Sequence, residues 1–165
     1  MFRKMRRSKQ ELPIEQTEQI LVNGITGVLG VVGDEGYPYT VPLNYVYQDK
    51  SIYFHCAKAG HKLDAIKNNG KVSFCVIAKE EIVPEEFTAY FKSAIVFGKA
   101  QEVTEDDEKL RIMRLLNNKY APGLNQAGEK AIEKEWNTLC VVKINVEHMS
   151  GKEAIELVRK RSEQM

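Results

Sequence analysis

Apolar residues recur along this chain at two spacings, one typical of strands and the other of helices. Runs rich in β-branched and aromatic residues, bounded by Gly, Pro, Asn or Asp, predict strands. There are six such runs: ITGVLGVV, YPYTVPLNYVY, SIYFHCA, KVSFCVIA, TAYFKSAIVFGKAQEV and TLCVVKINV. Turn residues such as those of GDEG and QDKS separate neighbouring runs, which indicates hairpins, and the long fifth run is expected to bend at Gly98.

Helical spacing marks PIEQTEQILVNG and TEDDEKLRIMRLLNNKY, with shorter helices after Gly60 and over GEKAIEKEW. Thr104 is expected to cap the second helix, whose first turn is acidic. The helices are grouped near the start and the end instead of alternating with strands, which argues against a doubly wound parallel sheet. The predicted fold is mainly β with peripheral helices (α+β), as an antiparallel barrel or a strongly curled sheet.

Composition and charge narrow the possible partners. The 165 residues, 43% of them apolar, are expected to form one domain over 1–165 that includes a basic arm over 1–12. The formal net charge is +1, so the chain has no large overall field of either sign. Neither a nucleic acid nor a membrane surface is therefore expected as a partner. No apolar run reaches the roughly 18 residues of a membrane helix, and no signal peptide is predicted. Three cysteines without C-x-x-C spacing favour a reducing, cytoplasmic location.

The stretch HCAKAGHKLDAI concentrates polar groups where a predicted strand gives way to a helix. A metal site would use His55, Cys56 and His61, but successive strand side chains point to opposite faces and no further ligands follow at the usual spacing. A catalytic Cys56 would lack an orienting third group and an oxyanion hole. A solvated turn without any ligand is the plainest interpretation.

An anion site explains more of the same stretch. A strand followed by a loop and a helix leaves free backbone N–H groups at the positively polarised helix start. Gly60 lets the backbone approach a ligand closely, and His61 and Lys62 add cationic donors for a phosphate. The small side chain of Ala57 leaves room beside them.

The preceding hairpin offers a surface for a flat ligand. Its arms carry five tyrosines, and Pro42 lacks a backbone donor, so this position is expected at a sheet edge or a bulge. The backbone groups of Val41, Leu43 and Asn44 would then be free to bond something other than a strand. Packing in the core and at the rim is the alternative role for the tyrosines.

Several parts of the chain resemble one family. The arm FRKMRRSKQEL, the strand pair GYPYTVPLNYVY…SIYFHCAKAGHKLDAI, the segment YFKSAIVFGKAQEV and the late NVEHMSGKEA are similar, in order and spacing, to nitroimidazole-resistance (Nim-type) proteins. These proteins are part of the pyridoxamine 5′-phosphate oxidase-like, FMN-binding split-barrel superfamily. The resemblance implies a six-stranded antiparallel split β-barrel and a homodimer with FMN sites at the subunit interface.

The resemblance also implies roles for individual residues. His55 is the catalytic candidate, beside the flavin, where it would donate a proton or orient the substrate. Trp136 of the partner subunit is a candidate cover for the ring. No metal site is predicted, and the implied cofactor-binding residues are Val41, Pro42, Leu43, Asn44, His55, Ala57, Gly60, His61, Lys62 and Ser93.

The implied function is that of an FMN-dependent oxidoreductase that reduces small acceptors such as nitroaromatic compounds. No G-x-G-x-x-G follows a predicted strand, so NAD(P)H, if it is the donor, would bind transiently at the flavin face. The same barrel leaves alternatives open: a pyridoxamine-phosphate oxidase or other flavin reductase, a haem protein, and a non-catalytic flavin-binding module.

Overall fold

The computed structural model describes residues 1–163 as one curled sheet with helices packed around it. Eight strands form the sheet: β1 (Glu11–Leu12), β2 (Thr26–Val32), β3 (Pro38–Asn44), β4 (Val46–Gln48), β5 (Ser51–Ala57), β6 (Lys71–Val83), β7 (Thr88–Glu102) and β8 (Leu139–Glu153). There are five helices: α1 (Ile14–Asn23), α2 (His61–Asn68), α3 (Asp106–Tyr120), α4 (Asn125–Glu135) and α5 (Ile155–Glu163).

The two outermost strands of the sheet are neighbours in the chain. The strand order is β3-β2-β6-β7-β8-β5-β4, with β1 paired to β8, and only Tyr45 separates β3 from β4. The two edges of the sheet therefore meet at Tyr45, so the sheet is curled but is not closed by hydrogen bonds. Val46–Tyr53 is the last pair between β4 and β5. Beyond this pair, the edge of β3 (38–44) that faces away from β2 and the edge of β5 (54–57) that faces away from β8 have no partner strand. We call the opening between these two edges the split.

The predicted antiparallel arrangement with peripheral helices is confirmed, whereas the count of six strands is wrong. The strand β1 has two residues, too few to produce an alternating pattern. The run predicted as YPYTVPLNYVY is divided at Tyr45, whose side chain is fully buried. No ladder joins β3 to β4 within residues 1–163, so the sheet stays open.

Alternate side chains of the long strands fill the barrel interior. Tyr45, Phe54 and Phe74 have no exposed surface there, and Leu21 of α1 and Leu63 of α2 join the same cluster. Burial of a large apolar side chain contributes roughly 1.5–3 kcal/mol. A second cluster packs α3 and α4 against the outside of β4, β5 and β8.

The outside of β6 and β7 carries apolar side chains that residues 1–163 leave largely exposed, although the Phe2 ring stacks on Phe97 at 5.7 Å between centroids. Direct partners in a ladder point to the same face, and the pairs Ile77–Ser93 and Ser73–Phe97 point outward. The outward side chains of Ile77, Ile82, Ile95 and Phe97 are 61%, 67%, 41% and 40% exposed. We call this surface the outer apolar face.

Two local predictions need correction. The helix α3 begins at Asp106 and receives no side-chain cap, because Glu105 instead of Thr104 occupies the N-cap position. The sequence EHMSGKEA predicts a turn at His148, but this residue lies inside the long strand β8. The basic run VRKR near the end of the chain lies in α5 with its basic residues exposed, and Arg161 lies 2.8 Å from the buried Glu153 carboxylate. The predicted bend at Gly98 is confirmed by a register shift there.

The basic arm lies against the sheet. The Phe2 ring stacks on His148 at 4.8 Å between centroids, and Glu11 and Leu12 pair with β8. No helix within residues 1–163 combines the length and the apolar character that crossing a membrane requires.

Candidate functional site

The split exposes unpaired backbone groups of β3. The Gly33 N–H donates to the Tyr37 carbonyl at 2.8 Å, which fixes the alternation of hydrogen-bonded pairs along β2 and β3. By this alternation the backbone groups of Val41 and Leu43 bond β2, while those of Pro42 and Asn44, with Thr40 before them, face the split. The missing N–H of Pro42 therefore removes no ladder bond. The sequence analysis predicted that the backbone groups of Val41 and Leu43 are free, and this prediction is wrong for both residues.

The opposite edge of the split is built in the same way. Bonds from Lys58 N–H to the Thr138 carbonyl (3.3 Å) and from Val146 N–H to the Lys50 carbonyl (3.1 Å) fix the alternation between β5 and β8. The backbone groups of His55 and Ala57 consequently point away from β8, towards the split. Both edges thus present unpaired N–H and C=O groups to anything that enters between them.

Side chains alternate along the same edges. Val41 and Leu43 are half-buried against the barrel interior, whereas Pro42 and Asn44 are exposed on the outside. On β5, Cys56 is buried in the interior cluster and His55 points outward, so the two cannot share a metal ion. This opposition of His55 and Cys56 confirms the prediction from strand geometry.

The loop after β5 leads to the start of α2, where backbone donors and cations meet. Gly60 has φ 131° and ψ 161°, a conformation that side-chain-bearing residues rarely adopt, and a Cβ there would meet no atom within 4 Å. Its carbonyl accepts from the N–H groups of Leu63 and Asp64. The N–H groups of His61 and Lys62 precede these bonds and are therefore directed out of the helix start.

His61 is held by the turn between β2 and β3. Its ring stacks on Tyr39 at 4.1 Å, and its Nε2 lies 3.7 Å from a carboxylate oxygen of Asp34. A Cβ at Gly33 would lie 2.9 Å from the same nitrogen, so a larger residue there would displace the imidazole. These contacts bring the start of α2 beside β3 and join the predicted phosphate and ring regions at one end of the split.

The electrostatics of His55 depend on Lys62. Partial burial lowers the pKa of the His55 imidazole, the Lys62 ammonium lowers this pKa further, and the Glu135 carboxylate offsets part of the effect. Because a lowered pKa favours the neutral form, the His55 imidazole carries one N–H and one free acceptor nitrogen at neutral pH. Such a group can exchange a proton with a bound molecule.

One predicted residue, Ser93, does not join the split in a single chain. Ser93 lies on β7, three strands from β3, which corresponds to about 14 Å at the usual strand spacing. It belongs to the outer apolar face. Trp136 follows α4, where Lys109 donates to its carbonyl at 3.0 Å and the Lys109 ammonium lies 4.2 Å from its ring.

The structure adds two residues that sequence reasoning missed, Lys119 and Tyr120 at the end of α3. The Lys119 ammonium donates to the carbonyls of Gly24 (2.6 Å) and Tyr45 (3.0 Å). The Tyr120 hydroxyl accepts from the Tyr45 N–H at 2.8 Å and lies 2.7 Å from the carbonyl oxygens of Tyr45 and Ile25. We call this pair the Lys119–Tyr120 clamp, because it holds the residue where the two sheet edges meet.

The clamp is partly shielded from solvent. Burial lowers the pKa of the Lys119 ammonium. The ammonium also lies 4.3 Å from the Tyr45 ring, a distance that permits a cation–π contact. In the sequence, the only sign of the clamp is a Lys-Tyr pair at the end of an amphipathic helix, and such pairs are usually solvated.

Solved structures share this fold. A conserved hypothetical protein of Mycobacterium tuberculosis has a TM-score of 0.79 at 15% identity, over 91% of this chain and 90% of that one. A proposed 5-nitroimidazole antibiotic resistance protein of Bacteroides thetaiotaomicron has a TM-score of 0.72 at 21% identity, over 87% and 86%. An FAD- and haem-binding protein of Mycobacterium smegmatis has a TM-score of 0.73 at 19% identity, over 88% and 73%.

Sequence comparison identifies the family more directly than these distant structures do. No curated protein matches the chain at significant similarity. The family described as pyridoxamine 5′-phosphate oxidase matches residues 13–153, which include every strand that borders the split. The match spans most of the chain and contains the Y-F-H…G-H-K segment, one of the segments that resemble the Nim-type proteins. The chain therefore belongs to the pyridoxamine 5′-phosphate oxidase family.

Proposed function

We propose that the chain binds FMN in the split and acts as an oxidoreductase that reduces small acceptors such as nitroaromatic compounds. One observation carries this proposal: two edges with unpaired backbone groups converge on a helix start that presents free N–H groups, His61 and Lys62. FMN has the matching shape, with a flat apolar ring at one end and a dianionic phosphate at the other.

The residues present fit the two ends of FMN. At the phosphate end, the N–H groups of His61 and Lys62 and the Lys62 ammonium supply donors, and the space beside Gly60 is open. Asp34 is exposed and lies near His61, so the phosphate would compete with its carboxylate for the imidazole. At the ring end, unpaired groups of β3 and β5 supply donors and acceptors for the polar edge of the ring.

Bound flavin would supply the two-electron redox chemistry, and the protein would supply position and protons. His55 presents a neutral imidazole on the outer side of β5, next to the split. We infer that it orients the acceptor or gives it a proton. NAD(P)H is the proposed electron donor, bound only transiently because the chain has no dinucleotide fingerprint.

The outer apolar face supports a homodimer with cofactor sites at the subunit interface. Four exposed apolar side chains on two adjacent strands form a patch of the kind that marks protein contacts. Ser93 lies inside this patch, so pairing of two copies would bring Ser93 of the partner subunit near a second surface. This assembly would give Ser93 the cofactor contact that the single chain does not provide. A cytoplasmic location is proposed with it.

A haem-binding variant of this function is the second candidate, because a structural neighbour is described as binding both FAD and haem. Its signature would be a Soret band in the spectrum of the purified protein. A non-catalytic flavin module would retain flavin without turnover, and a pyridoxamine-phosphate oxidase would oxidise that substrate instead of reducing nitro compounds.

The decisive experiment compares cofactor retention in matched variants. The purified chain is expected to show flavin absorbance or to acquire it with added FMN. The double variant H61Q/K62Q should lose at least 90% of this binding while keeping its circular dichroism spectrum, because the phosphate loses its cationic partners. The control K67Q/K71Q removes two exposed lysines elsewhere and should bind like the parent. Equal FMN affinity in H61Q/K62Q and its parent would show that the phosphate lies elsewhere.

A further inference from the structure

His55 lies among charged groups that three separate elements bring together. It is the third residue from the end of β5, and only residues 58–60 connect that strand to His61, the first residue of α2. Lys62 follows directly in the first turn of the helix. The short connection therefore places Lys62, a proposed phosphate donor, near the outward imidazole of His55, on which its charge acts.

The end of α4 is fixed to the same connection. Thr138 donates from its N–H and from its hydroxyl to the Glu135 carbonyl, both at 2.9 Å, and its own carbonyl accepts from the Lys58 N–H at 3.3 Å. Glu135 is the last residue of α4, and its carboxylate acts on His55 with the opposite sign to Lys62. The imidazole is thus subject to a cation on one helix and an anion on another.

Other charged groups near His55 are less suited to a change by a ligand. Arg111 of α3 and Lys143 of β8 each lie 5.7 Å from the centroid of the Tyr53 ring, which precedes His55 by two positions on the same face of β5. Across the split, β3 carries no charged residue. Lys62 is therefore the cation through which a ligand at the helix start can act on His55.

The Lys62 ammonium is available to an anion. Within residues 1–163 the ion pair made by α2 joins His61 to Asp34 and does not involve Lys62. A dianion held by the free N–H groups of the helix start would cancel the positive charge of Lys62 and add negative charge beside it. Both changes favour a proton on the His55 imidazole, because a repulsive interaction is removed and an attractive one is gained.

We propose that a dianion bound at the start of α2 switches His55 from its neutral to its cationic form, so that His55 becomes a proton donor when the cofactor phosphate is in place. This inference rests on the proposed flavin function. In the free chain Lys62 opposes a second positive charge on His55, and the bound phosphate removes that opposition while Glu135 continues to favour the cation. Of the two roles proposed for His55, proton donation is then the one that the site supports.

The direction of the coupling follows from the signs of the charges. Burial and the Lys62 ammonium lower the pKa of His55 in the free chain, and a bound dianion raises this pKa again. Binding therefore takes up a proton at a pH between the two values. By reciprocity, the proton on His55 strengthens the binding of the dianion by the same factor, so affinity rises as the pH falls.

The test follows the imidazole of His55 by NMR as the pH is varied, in the free chain and with sulfate, FMN or riboflavin. Sulfate is the simplest probe because it stays dianionic throughout, whereas a phosphate monoester takes up a proton near pH 6. Saturating sulfate or FMN should move the His55 titration to higher pH, and riboflavin, which lacks the phosphate, should not. Between pH 7.5 and 5, FMN affinity should rise about fivefold more in the parent than in H55Q.

Variants of α2 provide the matched controls. K62Q removes the cation without any ligand and should move the His55 titration of the free chain to higher pH, and K62R, which keeps the charge, should restore the parent titration. K67Q removes an exposed lysine at the other end of α2 and should change nothing.

A His55 titration that stays the same once sulfate or FMN is bound, or that is the same in K62Q and the parent, would overturn the coupling. Failure of the flavin function is seen separately. A chain that binds sulfate but no flavin refutes the proposed function, and its sulfate and K62Q titrations still decide whether an anion at the helix start controls the charge of His55.

Discussion

Replacing Lys119 with Met tests whether the Lys119–Tyr120 clamp fixes the junction of the two sheet edges. The side chain of Met keeps most of the length and apolar volume of Lys but removes both donated hydrogen bonds and the contact of the ammonium with the Tyr45 ring. Each hydrogen bond from a charged donor contributes roughly 1.5–3 kcal/mol to stability. The variant loses two such bonds, but folding no longer has to desolvate an ammonium group, and this offsets part of the loss. We expect the free energy of unfolding to fall by about 2–3 kcal/mol, which lowers Tm by roughly 4–12 °C at this chain length.

The measurement is urea unfolding followed by the fluorescence of Trp136, the single tryptophan. K119R restores a charged donor and should recover at least half of the loss, whereas K130M on the exposed side of α4 should behave like the parent. FMN affinity should fall in K119M, because Tyr45 connects the strands that border the split. A K119M variant within about 0.5 kcal/mol of the parent in stability, with unchanged FMN affinity, would refute the role of the clamp.

Three further outcomes follow from the charges and exposures described above. The pKa of His55 is lowered in the folded chain, so the unfolded state takes up a proton first and stability should fall as the pH drops from about 6.5 through that lowered pKa. Denaturant midpoints measured from pH 7.5 to 5 should depend less steeply on pH in H55Q than in the parent. An equal pH dependence in H55Q and the parent would contradict the lowered pKa. Burial raises the pKa of the Cys56 thiol and raises that of Cys140 to about 12. A thiol reagent at pH 7.5 should therefore leave both cysteines unmodified until urea unfolds the chain. Rapid modification of the native chain would contradict the raised pKa values. I95E places a charge on the outer apolar face and should convert the proposed dimer to monomers in sedimentation experiments without changing the fold. K130E, an exposed control on α4, should not change the dimer, and a dimer that survives I95E must use another surface.

The segment from β5 to the start of α2 could be predicted from sequence because its signals are local. Alternation over SIYFHCA gives the strand and opposes His55 to Cys56, and Gly60 marks a backbone conformation that other residues rarely adopt. The free backbone groups on β3 could not be assigned correctly. Their direction depends on which pairs of the ladder are hydrogen-bonded, and that alternation is fixed by the Gly33–Tyr37 turn rather than by any side-chain pattern.

Long-range contacts account for the remaining differences. The clamp joins Lys119 to Gly24 and Tyr45, which lie 95 and 74 positions away, and no periodicity connects such segments. The role expected for Trp136 involves a second subunit, and the cofactor contact expected for Ser93 is not made in one chain, so both stay proposals. The strand count was wrong because the two-residue strand β1 is too short to show a pattern, and because the buried Tyr45, which looks like an ordinary strand residue, divides one predicted strand in two.

The two edges of the curled sheet are joined by a single residue, Tyr45, which limits how far the split can widen. Widening the split would displace Tyr45, and Tyr45 is held by the last turn of α3. If flavin binds in the split as proposed, the width available to it is therefore set in part by α3, whose last turn holds Tyr45. Changes far along the chain, at the carboxyl end of α3, could retune ligand choice in this protein while every residue lining the split stayed the same.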